Sequence, residues 1–118
     1  METKVINTNS PIKTEEKEYR NEKDSYIITM SYNSESIMIN IKNSKPYQYT
    51  QFEKEFNFSE LKQMNLFFYQ FPNAEKIENL FANLLDKKKV EIQETQNLIN
   101  FSFMNMLEEK ITLKIPKK

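Results

Sequence analysis

None of the 118 residues is glycine. Left-handed backbone costs an ordinary residue roughly 1–2 kcal/mol, and asparagine is the type that tolerates it best after glycine. The chain is therefore expected to turn on its asparagines, with left-handed geometry at Asn33, Asn43 and Asn97. The same absence removes classes of chemistry: no phosphate-cradling loop, no dinucleotide fingerprint and no nucleophile elbow. Histidine and cysteine are missing too, which excludes a thiolate and imidazole zinc site, a disulfide framework, a cysteine nucleophile and a histidine general base. The chain reads as a non-enzyme, with no catalytic residue, no cofactor and no metal site.

Apolar periodicity then sets the architecture. Tyr26, Ile28, Met30 and Tyr32, and after Asn33-Ser34 the set Ile37, Ile39 and Ile41, recur every second residue, the pattern of two half-buried strands joined by a hairpin. Asn43-Ser44-Lys45-Pro46 turns into a third strand from Tyr47 to about Lys54, where the slip between Tyr47/Tyr49 and Phe52/Phe56 suggests a bulge near Thr50-Gln51. At Asn57 the period changes. Asn57 and Glu60 are spaced as a capping box, and Phe56 and Leu61 as a hydrophobic staple, so a helix is expected from Phe58 to about Phe68. Pro72 ends it, and Asn73 caps a second helix from Ala74 to about Lys87. Ile77, Leu80, Phe81, Leu84 and Leu85 form its apolar stripe, so Leu84→Ala is expected to cost about 2–5 kcal/mol.

Period two returns at Val90 and Ile92, at Ile99, Phe101 and Phe103, and at Ile111, Leu113 and Ile115. The expected order is βββ-αα-βββ: an α+β domain, either a small antiparallel β-sandwich or one sheet, with an inserted helix-turn-helix. Residues 25–118 form this head. Residues 1–24 hold few apolar groups and are expected to be a flexible arm whose removal leaves the cooperative melt intact.

Charge narrows the partners. Equal numbers of basic and acidic residues, 17 each, argue against a surface built to neutralise phosphates, so nucleic acid is disfavoured. No apolar stretch approaches the ~20 residues that span a bilayer, and the first residues mix acids with bases, so no membrane contact and a cytoplasmic location are expected. The carboxylate sets Glu53/Glu55, Glu91/Glu94 and Glu108-Glu109 alternate with lysines and read as solvated faces rather than as a cation site or an acid–base pair. Lys87, Lys88 and Lys89 follow the second helix, where cations complement its dipole; with Lys117 and Lys118 they are also the candidate contact for a polyanion such as tubulin tails or RNA. Phe67, Phe68, Tyr69 and Phe71 crowd one short stretch, more than one face of a short helix buries. They are candidate contacts for a protein partner, against the alternative that they wrap the junction between hairpin and sheets.

The stretch from Phe58 to Pro72, with its Leu61-Lys62 pair and its aromatic Phe71 before Pro72, followed by Ile77 and Leu84-Leu85, resembles the helical hairpin in the globular heads of centriole cartwheel proteins. Glu94-Thr95-Gln96-Asn97-Leu98 is similar to the later turn of those heads, and the resemblance spans about Tyr47 to Ile115. It implies a fold shared with end-joining repair scaffolds, a small β-sandwich with an inserted helix-turn-helix that precedes a dimeric coiled coil. It also implies that Leu98, at the tip of that turn, is the counterpart of a bulky residue that inserts into a neighbouring head. The family's acidic residue before its aromatic is absent here, and no heptad pattern occurs within the 118 residues. The expected function is a noncatalytic scaffold head for protein–protein assembly, in a centriole, cilium or cytoskeletal setting, with a second copy of the chain among the candidate partners. The alternatives are an accessory subunit of a larger complex and a nucleic-acid repair or RNA-binding accessory.

Overall fold

The computed structural model describes residues 13–20, 24–45 and 48–118. Four strands come first, β1 (Lys13–Arg20), β2 (Ser25–Tyr32), β3 (Ser36–Lys45) and β4 (Gln48–Asn57), paired antiparallel in chain order. Helix α1 (Phe58–Met64), a 3₁₀ turn (Leu66–Gln70) and helix α2 (Ala74–Asp86) follow, and then a three-stranded antiparallel sheet of β5 (Val90–Glu94), β6 (Leu98–Met104) and β7 (Lys110–Pro116). The expected α+β class with a helical insertion is what the chain adopts; of the two arrangements left open it has two antiparallel sheets, of four and three strands in place of three and three. The sheets meet along one corner, where Phe52 bridges Lys117 and the Lys118 N–H donates to the Gln51 carbonyl at 2.8 Å.

Alternation decides which side chains meet, because a strand sends successive residues to opposite faces. All the period-two sets of β2, β3, β5, β6 and β7 named above are buried, and they share one cluster with Phe52, Phe56, Leu61, Phe68, Ile77 and Phe81. Helix α2 lies against β1, β2 and β3. Its Phe81 ring reaches across to Phe101 and Phe103 of β6, edge-on at 5.6 Å from each. The helix therefore ties the two sheets through one core.

The first departure from expectation is β1. Lys13–Arg20, expected in the arm, runs antiparallel to β2 from Lys13 opposite Tyr32 to Arg20 opposite Ser25. Residues 1–12 and 21–23 of that expected arm lie outside the described residues. The strand escapes an apolar pattern because its inward positions include Glu15, Lys17 and Tyr19, half-buried on α2, with the Lys17 ammonium 2.9 Å from Asp86. Long charged side chains cover apolar surface with their stems, and inward charges on an edge strand discourage further pairing.

The turns also differ. Among the described residues positive φ occurs at Lys88 (58°) and Glu108 (61°), and not at Asn33, Asn43 or Asn97. Asn43 lies within β3 opposite Tyr26 and Thr50. Asn33 shapes the β2–β3 turn through its side chain, whose Oδ1 accepts from the N–H groups of Glu35 and Ser36, both at 2.8 Å. Asn57, Asn65, Asn73 and Asn105 likewise accept backbone N–H groups. Asparagine here replaces glycine by capping donors, not by adopting left-handed backbone. The capping box of Asn57 and Glu60 is present. β3 and β4 pair in unbroken register through Thr50 and Gln51, so the expected bulge is absent there. The expected first helix is also shorter: Asn65 is extended (φ −158°, ψ 136°), ends α1 and caps the 3₁₀ turn.

Candidate protein-contact site

The end of the molecule where α1 stops and β6 turns into β7 carries the surface that is hardest to explain by folding alone. A 3₁₀ turn has three residues per turn, so residues three apart share a face. Leu66 and Tyr69 accordingly point away from the core, 81% and 60% exposed, while Phe68 is fully buried. Phe67 lies between, half-buried, its ring 5.4 Å from Phe68, 5.3 Å from Phe71 and 5.8 Å from Phe103. The Lys62 ammonium sits over the rings of Phe58 (4.3 Å) and Tyr69 (5.5 Å), which holds Tyr69 against α1.

Opposite this turn stands the β6–β7 connection. Asn105 organises it: its Oδ1 accepts from Leu107 N–H at 2.8 Å and Glu109 N–H at 2.9 Å, its own N–H donates to the Glu109 carbonyl, and Glu108 takes the left-handed position. The turn thereby holds Met106 and Leu107 outward, 86% and 78% exposed. Together with Met64, Leu66 and Phe67 they line a groove of about 690 Å³, edged by Asn65, Gln70, Asn105 and Glu109.

The residues singled out from sequence are thus divided. Phe67 and Phe71 join the core edge, Phe68 is core, and Tyr69 is surface. Leu98 begins β6 opposite Pro116, half-buried, with its carbonyl bonded by the Thr95 N–H at 2.8 Å. It therefore lies at the far end of β6 from the groove. Lys87, Lys88 and Lys89 are exposed after α2. Lys88 and Lys89 meet Lys110, Phe103 and Met104 around a second cavity of about 380 Å³. Met64, Leu66, Met106 and Leu107 went unremarked in sequence; the available signal was an apolar pair inside a turn bounded by Asn105 and Glu108.

The carboxylates have specific partners. Glu53 accepts from Asn40 at 2.8 Å, Glu55 from the Ser36 hydroxyl at 2.7 Å, and Glu91 stands 3.8 Å from the Lys110 ammonium. Glu94 does more than face water. It accepts from the Tyr26 hydroxyl at 3.0 Å and from Asn43 at 2.8 Å, joining the end of β5 to β2 and β3. Burial first, and then the Glu94 carboxylate, raise the Tyr26 hydroxyl far above its ordinary pKa of 10.0. Among the described residues no group of three or more acidic side chains converges as a metal site, and no helix is long and apolar enough to cross a membrane. No protein-family model, no curated protein and no solved structure matches the chain.

Proposed function

We propose that this chain is a noncatalytic assembly head that binds other proteins through the apolar end between the 3₁₀ turn and the β6–β7 turn. The observation that carries the reading is the joint exposure of Leu66, Met106 and Leu107, at 81%, 86% and 78%, around one groove. Single exposed apolar side chains are ordinary, but a contiguous group with a polar rim marks a contact surface. Two small antiparallel sheets with a helical pair inserted between them are compatible with the small β-sandwich and inserted helix-turn-helix that the resemblance to cartwheel and end-joining heads implies. The centriolar, ciliary or cytoskeletal setting rests on that resemblance alone. The competing nucleic-acid reading has less behind it, since Lys110 is paired with Glu91 and the chain carries no net charge.

A photo-crosslinking residue at position 107, compared with one at Lys114 on the outer side of β7, tests the proposal in cells of the source. Discrete protein adducts from position 107 and few from position 114 are expected. Equal labelling from both positions removes the ground for the reading.

A further inference from the structure

Resting on the reading of the apolar end as a binding surface, we infer that its occupant is an amphipathic helix of a partner protein with lysines or arginines along one side of its apolar stripe. The walls of the groove decide the occupant's backbone. Both are turns, Leu66–Gln70 and the β6–β7 connection at 105–109, so neither presents the extended row of donors and acceptors to which a strand adds. Their N–H groups are committed as well: those of Leu107 and Glu109 go to Asn105 Oδ1, that of Glu108 to the Asn105 carbonyl (3.1 Å), and those of Phe67 and Phe68 to Asn65 (2.8 and 3.1 Å). A segment docking here is held by its side chains and must satisfy its own backbone, as a helix does. At about 690 Å³ the groove takes a few side chains of one helix face rather than a folded domain.

The charge of the groove is one-sided. Among the described residues that line it Glu109 alone is charged, and Glu108 stands beside it on the same turn. Both are exposed, and among the described residues neither has an ion-pair partner. The Asn105 hydrogen bonds fix the turn that carries them, so two carboxylates hold a set place on the β6–β7 wall, while the 3₁₀ wall contributes Leu66, Phe67 and Gln70 and no charge. The lysines next to these walls in sequence are engaged elsewhere: Lys110 stands 3.8 Å from Glu91, and Lys62 sits over the rings of Phe58 and Tyr69. A helix whose apolar stripe fills the groove therefore meets negative charge along one flank, which basic residues on that flank complement. Met64 and Met106 supply flexible, polarizable walls that re-pack around differently shaped apolar side chains. A second copy of this head has no such helix to offer among the described residues, because α1 and α2 turn Leu61, Ile77 and Phe81 into their own core.

A labelled synthetic helix of about 18 residues, with leucines at i, i+3, i+4 and i+7 and lysines along one flank, is the probe. Fluorescence anisotropy at low salt compares it with a version carrying glutamates at the lysine positions and with a scrambled one of the same composition. The lysine helix is expected to bind at least about tenfold tighter than the scrambled peptide and about fivefold or more tighter than the glutamate helix, a margin that shrinks as salt is added. Leu107→Ser, whose melting midpoint should match wild type, is expected to weaken it by about tenfold, and Leu66→Ser on the opposite wall should act in the same direction. Glu108→Gln with Glu109→Gln should erase the preference for lysine over glutamate flanks while keeping the need for the leucine stripe. No binding, equal binding of ordered and scrambled peptides, a preference for glutamate flanks, or indifference to Leu107→Ser overturns the inference, as does a lysine preference that survives the double glutamine variant. Self-association of the wild-type head in sedimentation, lost in Leu107→Ser, together with no peptide binding, would overturn the helix and leave the assembly reading standing. Failure of that reading itself would appear separately, as equal labelling from positions 107 and 114.

Discussion

Replacing Phe81 with alanine removes the largest side chain that α2 sends into the core. The ring is 0% exposed and packs edge-on against both Phe101 and Phe103 at 5.6 Å. A buried Phe→Ala change costs about 3–5 kcal/mol, and an aromatic pair adds about 0.5–1.5 kcal/mol beyond area burial, so the upper part of that range applies, about 4–5 kcal/mol. In a domain of this size about 1 kcal/mol moves the midpoint by roughly 3–6 °C, so a fall of about 12–30 °C is expected. Leu84 is the internal comparison. It is only half-buried, on the flank of the packed face, so Leu84→Ala should cost about 1–2 kcal/mol, the low end or below of the range for a core leucine. Urea denaturation of the two variants, read at constant m, measures both. A Leu84→Ala cost equal to or above that of Phe81→Ala would show that the helix presents a different face to the sheets.

Two other perturbations follow from the fold. Removing residues 1–24 strips the β1 ladder from β2 and the Lys17–Asp86 pair from α2, so the midpoint should fall by roughly 10 °C or more in a thermal scan; an unchanged melt would return residues 13–20 to the status of an arm. The raised Tyr26 pKa means that above about pH 10 the unfolded chain loses this proton while the folded chain keeps it, so the stability the buried hydroxyl contributes is whole below that pH and is lost as pH rises toward the folded value. Denaturation from pH 9 to 11 should show this decline in wild type and a shallower one in Tyr26→Phe, and identical slopes would mean that burial and Glu94 do not hold the proton on this hydroxyl.

The parts of the fold that were legible are those where one periodicity and one cap coincide. Asn57 with Glu60, Asn73 before Ala74, and the alternating sets from Tyr26 to Ile115 each carry a local signal that tertiary packing reinforces. β1 was hidden because Glu15 and Lys17 fill inward positions with amphipathic stems, and their fit depends on Asp86 and α2, far away in sequence. The break at Asn65 was hidden for a different reason: its side chain caps Phe67 in competition with the helix, and Leu66 and Phe67 alone would have continued the helical pattern. The groove was the least legible element. Met106 and Leu107 fall between two strands, outside any period, and their meaning arises only when the β6–β7 turn is placed opposite Leu66. Leu98, chosen by resemblance, lies at the other end of β6.

The central claim is that the apolar end exists for a partner and not for the fold. It is tested most directly by one double variant, Leu66→Ser with Leu107→Ser, carrying the photo-crosslinking residue at position 106 and compared with the parent bearing the same residue. Both serines replace side chains that are mostly in water, at 81% and 78% exposure, so the melting midpoint should stay within about 2 °C of the parent, because surface changes of this kind lie within about 0.5 kcal/mol. Protein adducts should be lost. A midpoint that drops by many degrees while the adducts persist would show that these side chains serve the core and that the contact surface lies elsewhere.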